Sequence, residues 1–283
     1  MSEFPRTMVG GVSLSRMIIG TNWLLGWSHT SHAKDTWIKE YQTRERLAAI
    51  IAEFLSHGVD GIMGMPLPFL NECITDAEQK AGRQAVRIYT PSFNVRPPDK
   101  ARPGDPTPEA AFDTCKQLGG VICMPHTSTT DILMDLRAME IRDIDTYTRM
   151  IRERGMVPGL STHLPETVVY CDRNGYDVET YIQIYNAAGF LMHVEADWVM
   201  RVIKNAKKPV MTIKPMAAGR LLPVVGLAFV WNTIRDQDMV TVGCTTVDEA
   251  KEVIDMSLDL LDRRLPENRL QFTRSKRSLA EAG

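Results

Sequence analysis

Three histidines and a lysine fall just after short apolar runs, in stretches too polar to belong to a core: His29 in "GWSHTSHAKD", His126 in "VICMPHTSTTD", His163 in "GLSTHLPE" and Lys214 in "TIKPMAAGR". Imidazoles in threes suit divalent zinc, manganese, iron or nickel-type ions, and three ligands leave a position open for water or substrate. Glu166, three residues after His163, is placed to act as a fourth ligand or a general base. The same imidazoles could equally serve as metal-free acid–base groups near neutral pH. His29 lies nearer the preceding apolar run than His32, so His29 is taken as the site residue and His32 as a solvated neighbour. There is no HxH or HExxH pair. Lys214 has two possible roles. Desolvated, it could form a Schiff base with a carbonyl substrate; charged, it could neutralise a substrate carboxylate or phosphate. The electrostatic role is preferred, because Arg220 follows it and Cys244–Thr245 end the last apolar run. The catalytic candidates are thus His126, His163, Glu166 and Lys214, and the metal candidates His29, His126 and His163. The substrate-binding candidates are Asn22, Asp131, Tyr185, Asn186, Arg220 and Thr245.

These groups share one site only if the elements before them converge. Short apolar runs alternate with amphipathic segments along the whole chain. "RMIIG" precedes "RERLAAIIAEFLSHG", "VDGIMG" precedes "FLNECITDAEQKAG", and "VRIYT" precedes "PEAAFDTCKQLGG". The pattern continues through "VICMP", "MVPGLS", "VETYIQIYN", "PVMTIKP" and "MVTVGC", each with a helix-like partner. Eight such units in one chain predict parallel strands with crossover helices, closed into a single (β/α)8 barrel domain over 1–283. Residues after each strand then meet at one mouth, where barrel active sites are built. His57 closes a helix before the second strand and falls at the other end, while His193 sits in a longer loop after the sixth. Thr246 followed by Glu249 predicts a capping box on the last helix. A proline-rich stretch, 91–108, interrupts the rhythm after the third strand and carries Arg96, Lys100 and Arg102. It is expected to be a lid over the mouth.

Composition excludes several functions. A net charge of −2 gives no pull towards nucleic acid or anionic lipid. The longest apolar stretch, "LLPVVGLAFVW", is too short to cross a membrane. Five scattered cysteines without a CxxC pair suit reduced thiols in a cytoplasmic protein. No GxGxxG follows a strand and there is no P-loop, so Rossmann-type and P-loop nucleotide sites are not expected. A small-molecule substrate and a possible homo-oligomer remain. The chain from about 266, with its "RSKR" cluster, reads as a frayed tail.

Over most of its length the chain resembles the aldo-keto reductase superfamily. "RTMVGGVSLSRMIIGTN" is similar to the family's opening hairpin and first strand, and "VETYIQIYN", "IKPMAAGRLL" and "VGCTTVDEAKEVI" are similar to its last three strand regions. The resemblance implies a barrel with a short N-terminal hairpin, an NAD(P)H cofactor held between Lys214 and Thr246, and an Asp, Tyr, Lys and His tetrad. In this sequence the first three places fall at about Met63, Pro68 and Thr90 or Pro91; only His126 stands near its expected place. A nearer resemblance is to an offshoot of such barrels with a "GFSH"-like first loop. Here it is carried by Gly26–His29, by His126 with Asp131, and by Thr162–Glu166. The residues therefore lead first to a metal-dependent lyase, isomerase or hydrolase acting on a small polar carbonyl or sugar-like metabolite. The alternatives are an NAD(P)H-dependent reductase with His126 as proton donor and a non-catalytic binding barrel.

Overall fold

The computed structural model of the chain describes residues 3–95, 104–266 and 276. It opens with an antiparallel hairpin, β1 (Arg6–Val9) and β2 (Val12–Ser15), turned by Gly10 and Gly11 at positive φ. The first barrel strand, β3 (Met17–Gly20), is followed by α1 (His32–Tyr41) and α2 (Arg44–Ser56). Then come β4 (Gly61–Gly64), α3 (Pro68–Ala81), β5 (Val86–Tyr89), α4 (Pro108–Gln117), β6 (Ile122–Cys123) and α5 (Thr127–Leu133). A small outer hairpin, β7 (Met134–Asp135) with β8 (Glu140–Ile141), leads into α6 (Ile144–Glu153). The fifth barrel strand is β9 (Val157–Pro158) plus β10 (Leu160–Ser161), followed by α7 (Pro165–Asn174). The last three units are β11 (Tyr181–Ile184) with α8 (Ala196–Asn205), β12 (Val210–Ile213) with α9 (Pro223–Thr233), and β13 (Met239–Val242) with α10 (Val247–Leu261).

All pairings in the main sheet are parallel, in the order β10-β11-β12-β13-β3-β4-β5-β6-β9. The two ends of that order, β9 and β10, are halves of one strand. One half pairs with β6 and the other with β11, and this closes the barrel. Gly159 divides them; a Cβ there would lie 2.8 Å from Met124 Cε and from Thr180 O. The barrel interior is packed with Ile18, Met63, Ile88, Ile182, Met211 and Met239, and the hairpin's Val9 and Leu14 plug its lower end. A larger apolar layer lies between strands and helices. Proline at the first turn starts α3, α4, α7 and α9, where its missing N–H costs no helical bond.

Two elements depart from the sequence expectation. The stretch 32–41 shows no helical stripe, yet it forms α1, of which Ile38 is the buried residue. Local bonds replace an apolar face: Ser31 Oγ accepts Lys34 N–H, Trp37 stacks on Tyr41 at 5.0 Å, and Lys34 Nζ lies 3.9 Å from the Trp37 ring centre. The β7–β8 hairpin is set by Asp135, whose Oδ1 accepts from Arg137 N and Ala138 N at 3.0 Å. Of the expected lid, residues 96–103 lie outside the described residues, as does the tail from 267 apart from 276. The flanks of the former are joined by Asn94 N–H donating to Pro106 O at 2.9 Å. Among the described residues, no helix is long and apolar enough to cross a membrane.

Candidate active site

The C-terminal ends of the strands surround a cavity of about 720 Å³ whose walls include His29, His126, His163, Lys214, Asn22 and Trp23. Each polar group is oriented by its own local geometry. His29, in the loop after β3, adopts φ 59°, a left-handed conformation unusual for a residue with a Cβ. Its Nδ1 lies 2.9 Å from Trp27 O, an acceptor only, so Nδ1 carries the proton and Nε2 is left as an acceptor. That Nε2 faces Lys214 Nζ at 3.3 Å. Lys214, directly after β12, is itself at φ 60°. Strain of this kind costs about 1–3 kcal/mol per residue and persists where the surroundings enforce it.

His126 has the opposite tautomer. It is the N-cap of α5, and its Nδ1 accepts from Ser128 N–H at 3.2 Å and lies 2.9 Å from Ser128 Oγ. The ring proton is therefore on Nε2. One imidazole faces the lysine as an acceptor and the other keeps a donor.

Burial lowers the lysine to about 8, so about a tenth is free amine at pH 7; an exposed lysine near 10.4 has about one molecule in 2,500. His163, between β10 and α7, is lowered to about 4 by burial, then by Lys214 and by His126, with His193 and His29 adding to the effect. His29 and His126 are also lowered, burial again being the largest cause, with Lys214 acting in the same direction on both. The cluster is a partly deprotonated lysine among neutral imidazoles.

The three histidines expected to hold a metal, His29, His126 and His163, line one cavity. Among the described residues, no three His, Cys, Asp or Glu side chains converge on a position that could hold an ion. Lys214 stands among these imidazoles, and its ammonium disfavours an added positive charge on His29 and His163.

The other expected site residues divide. Asn22 lines the cavity. Asp131 accepts from Thr127 Oγ1 and Thr162 Oγ1 at 2.8 Å each, tying α5 to the end of the fifth strand. Glu166 lies in the first turn of α7 with one carboxylate oxygen buried and unpartnered, outside the cavity lining. Tyr185 turns outward and donates to Thr233 Oγ1 at 2.9 Å. Asn186 closes its own loop through Phe190 N and O. Arg220 stacks 3.9 Å over the Phe190 ring and donates to Ala217 O. The Thr245 N–H and hydroxyl both bond Glu249 Oε2, while Thr246 Oγ1 accepts from Glu249 N–H. The predicted capping box is thus shared with the residue before it, which uses up the Thr245 hydroxyl.

Sequence reasoning missed Thr241, Ser161 and Trp23, all in the cavity wall. Thr241 was open to discovery, since alternation in "MVTVGC" turns Met239 and Thr241 to the same face. Trp23 had no local signal. Its ring edge lies against Gly219 and its Cδ1 against Gly243, so it bridges the loops after β12 and β13.

No protein-family model matches the chain, and no curated protein is similar to it in sequence. Solved structures are similar in fold. One is a protein from Pseudomonas aeruginosa proposed to be an aldo-keto reductase, with TM-score 0.64 and 14% identity over 90% of this chain and 95% of that one. Another is the aldose reductase of Giardia lamblia, with TM-score 0.58 and 11% identity over 98% and 97%. The chain therefore has an aldo-keto-reductase-like (β/α)8 fold. Among the described residues lining the cavity Lys214 is the one cation, and Glu249 and Glu252 stand at the β13–α10 end, so these residues offer the phosphates of a nicotinamide dinucleotide no paired cations.

Proposed function

We propose that this protein is an enzyme of the lyase or isomerase type that activates a small polar carbonyl compound through Lys214. The observation that carries the reading is the desolvated amine 3.3 Å from a histidine nitrogen that can only accept. His29 Nε2 takes a proton from the ammonium, freeing Nζ to attack the carbonyl carbon. His126 Nε2–H donates to the carbonyl oxygen, which leaves as water. The net change is that ammonium plus carbonyl gives iminium plus water. The iminium then draws the electron pair of an adjacent C–H or C–C bond into an enamine. His163, neutral near pH 7, is the nearby base for the proton released. Hydrolysis returns the amine.

The test is borohydride trapping with a panel of small aldehydes, ketones and 2-oxo acids at pH 8. A reduced adduct on the peptide containing Lys214, absent in Lys214→Met, supports the reading. Labelling of Lys214 no faster than surface lysines with every compound would sink it.

A second reading, a nicotinamide-dependent reductase, is favoured by the fold and by the size of the cavity, about 720 Å³, whose lining includes Lys214, Leu222 and Val253. It is opposed by the carboxylates there. Titration with NADH and NADPH, followed by nicotinamide fluorescence, distinguishes the two. Absence of binding at millimolar cofactor removes it.

A further inference from the structure

Among the described residues, Thr241 is the one member of the cavity wall whose side-chain polar atom is buried without a hydrogen-bond partner. It stands in β13 at 7% exposure, on the inward face with Met239. Its methyl faces Gly20 of β3, where a Cβ would lie 3.0 Å from Thr241 Cγ2. Nearby inward positions are apolar, and valine, its isostere, would fill this one without leaving a donor and acceptor unmet. β12 and β13 are paired through Met211↔Met239 and Thr212↔Val240, so Thr241 stands beside Ile213, the residue before Lys214. Ser161, 6% exposed, stands in the same wall three strands away.

We infer that Thr241 is a substrate-binding residue and that the substrate is a hydroxylated carbonyl compound, a hydroxyketone or ketose, whose hydroxyl bonds Thr241 Oγ1 after the side chain turns about its Cα–Cβ bond to bring this buried atom to the cavity surface. The substrate class rests on the Lys214 reading for its carbonyl and on Thr241 for its hydroxyl. An apolar ketone leaves Thr241 unpaired and loses that bond.

The experiment uses dihydroxyacetone, the smallest such ketone, against acetone. Saturation-transfer NMR reads binding whether or not an imine forms, and borohydride trapping on the same samples reads the lysine. The native protein is expected to bind dihydroxyacetone at least tenfold more tightly than acetone. Thr241→Val should erase that preference and leave acetone unchanged, while Thr241→Ser should retain it. Thr241→Val should also melt no lower than the native protein, which shows that the loss is not one of folding. Preference for dihydroxyacetone that survives in Thr241→Val overturns the inference, and so does failure of the native protein to bind dihydroxyacetone in preference to acetone. Preference lost in Thr241→Val with no trapping at Lys214 in any sample leaves Thr241 standing and removes the Schiff-base reading alone.

Discussion

The two ends of this barrel treat buried charged groups in opposite ways. At the N-terminal end the buried charged groups are matched, although Trp231 Nε1, beside Phe4 and Arg16, is buried without a partner. Asp238 accepts four hydrogen bonds, from Val210 N and from Arg235 N, Nε and Nη2. Asp60 accepts from Ser15 N at 2.9 Å and pairs with Arg6 at 2.8 Å, and Arg16 donates to Asp238 O and Arg235 O. At the mouth, Lys214 has an imidazole for a partner, Thr241 Oγ1 has none, and His29, Lys214, Ala217 and Ala218 sit at positive φ. Low dielectric strengthens a satisfied network and penalises an unsatisfied one. The lower end thus pairs its buried charges, while the mouth leaves a buried amine with only an imidazole beside it.

The sharpest way to break this contrast is to put a defect at the satisfied end. Asp238→Ala leaves Arg235 and the Val210 N–H unmatched, and is expected to cost about 3–5 kcal/mol in urea unfolding. A loss below about 1 kcal/mol would mean that the lower end is no more optimised than the mouth.

Lys214→Met should do the reverse. Activity and trapping fall at least a thousandfold, about 4 kcal/mol, while the protein becomes more stable at pH 7. The sign follows from linkage. Lys214 is near 8 folded and near 10.4 unfolded, so between these values the unfolded chain binds more protons and native stability rises with pH. The burial penalty is full below pH 8. The advantage of Lys214→Met in melting temperature should therefore be largest there and close by about pH 10.4.

His126→Ala removes the Nε2–H donor and is expected to lower turnover about a hundredfold, roughly 2.7 kcal/mol, with little change in substrate KM. A rise in KM alone would make His126 a binding group. The smallest effect is at Ala218, held at φ 55°. Ala218→Gly relieves about 1–2 kcal/mol of left-handed strain and returns about 0.4–1 kcal/mol of unfolded-state entropy. A net gain of about 0.5 kcal/mol by calorimetry is expected, and a loss would show that no strain is stored there.

The barrel was legible because its signal is repeated: "RMIIG", "VRIYT" and "MVTVGC" each carry a strand's apolar run, and crossover geometry does the rest. Which histidines share a mouth followed from that topology, and His29, His126 and His163 do meet in one cavity. What they do there was not legible. Ring tautomers depend on Trp27 O and Ser128 N, and the lysine's neutralisation on burial that only the closed barrel supplies. The preference for a charged Lys214 beside Arg220 assumed that both face substrate; instead Arg220 stacks on Phe190. Tyr185 lay on the wrong face by one residue of strand alternation. The helix at His32 escaped notice because capping and ring stacking hold it rather than an apolar stripe.

The central claim is that Lys214 is a partly free amine at neutral pH. Competitive labelling with trace acetic anhydride from pH 6 to 11, read peptide by peptide by mass spectrometry, tests it with the chain's surface lysines as internal controls. Lys214 should titrate with a midpoint near 8. A midpoint near 10.4, coincident with the surface lysines, would contradict the account.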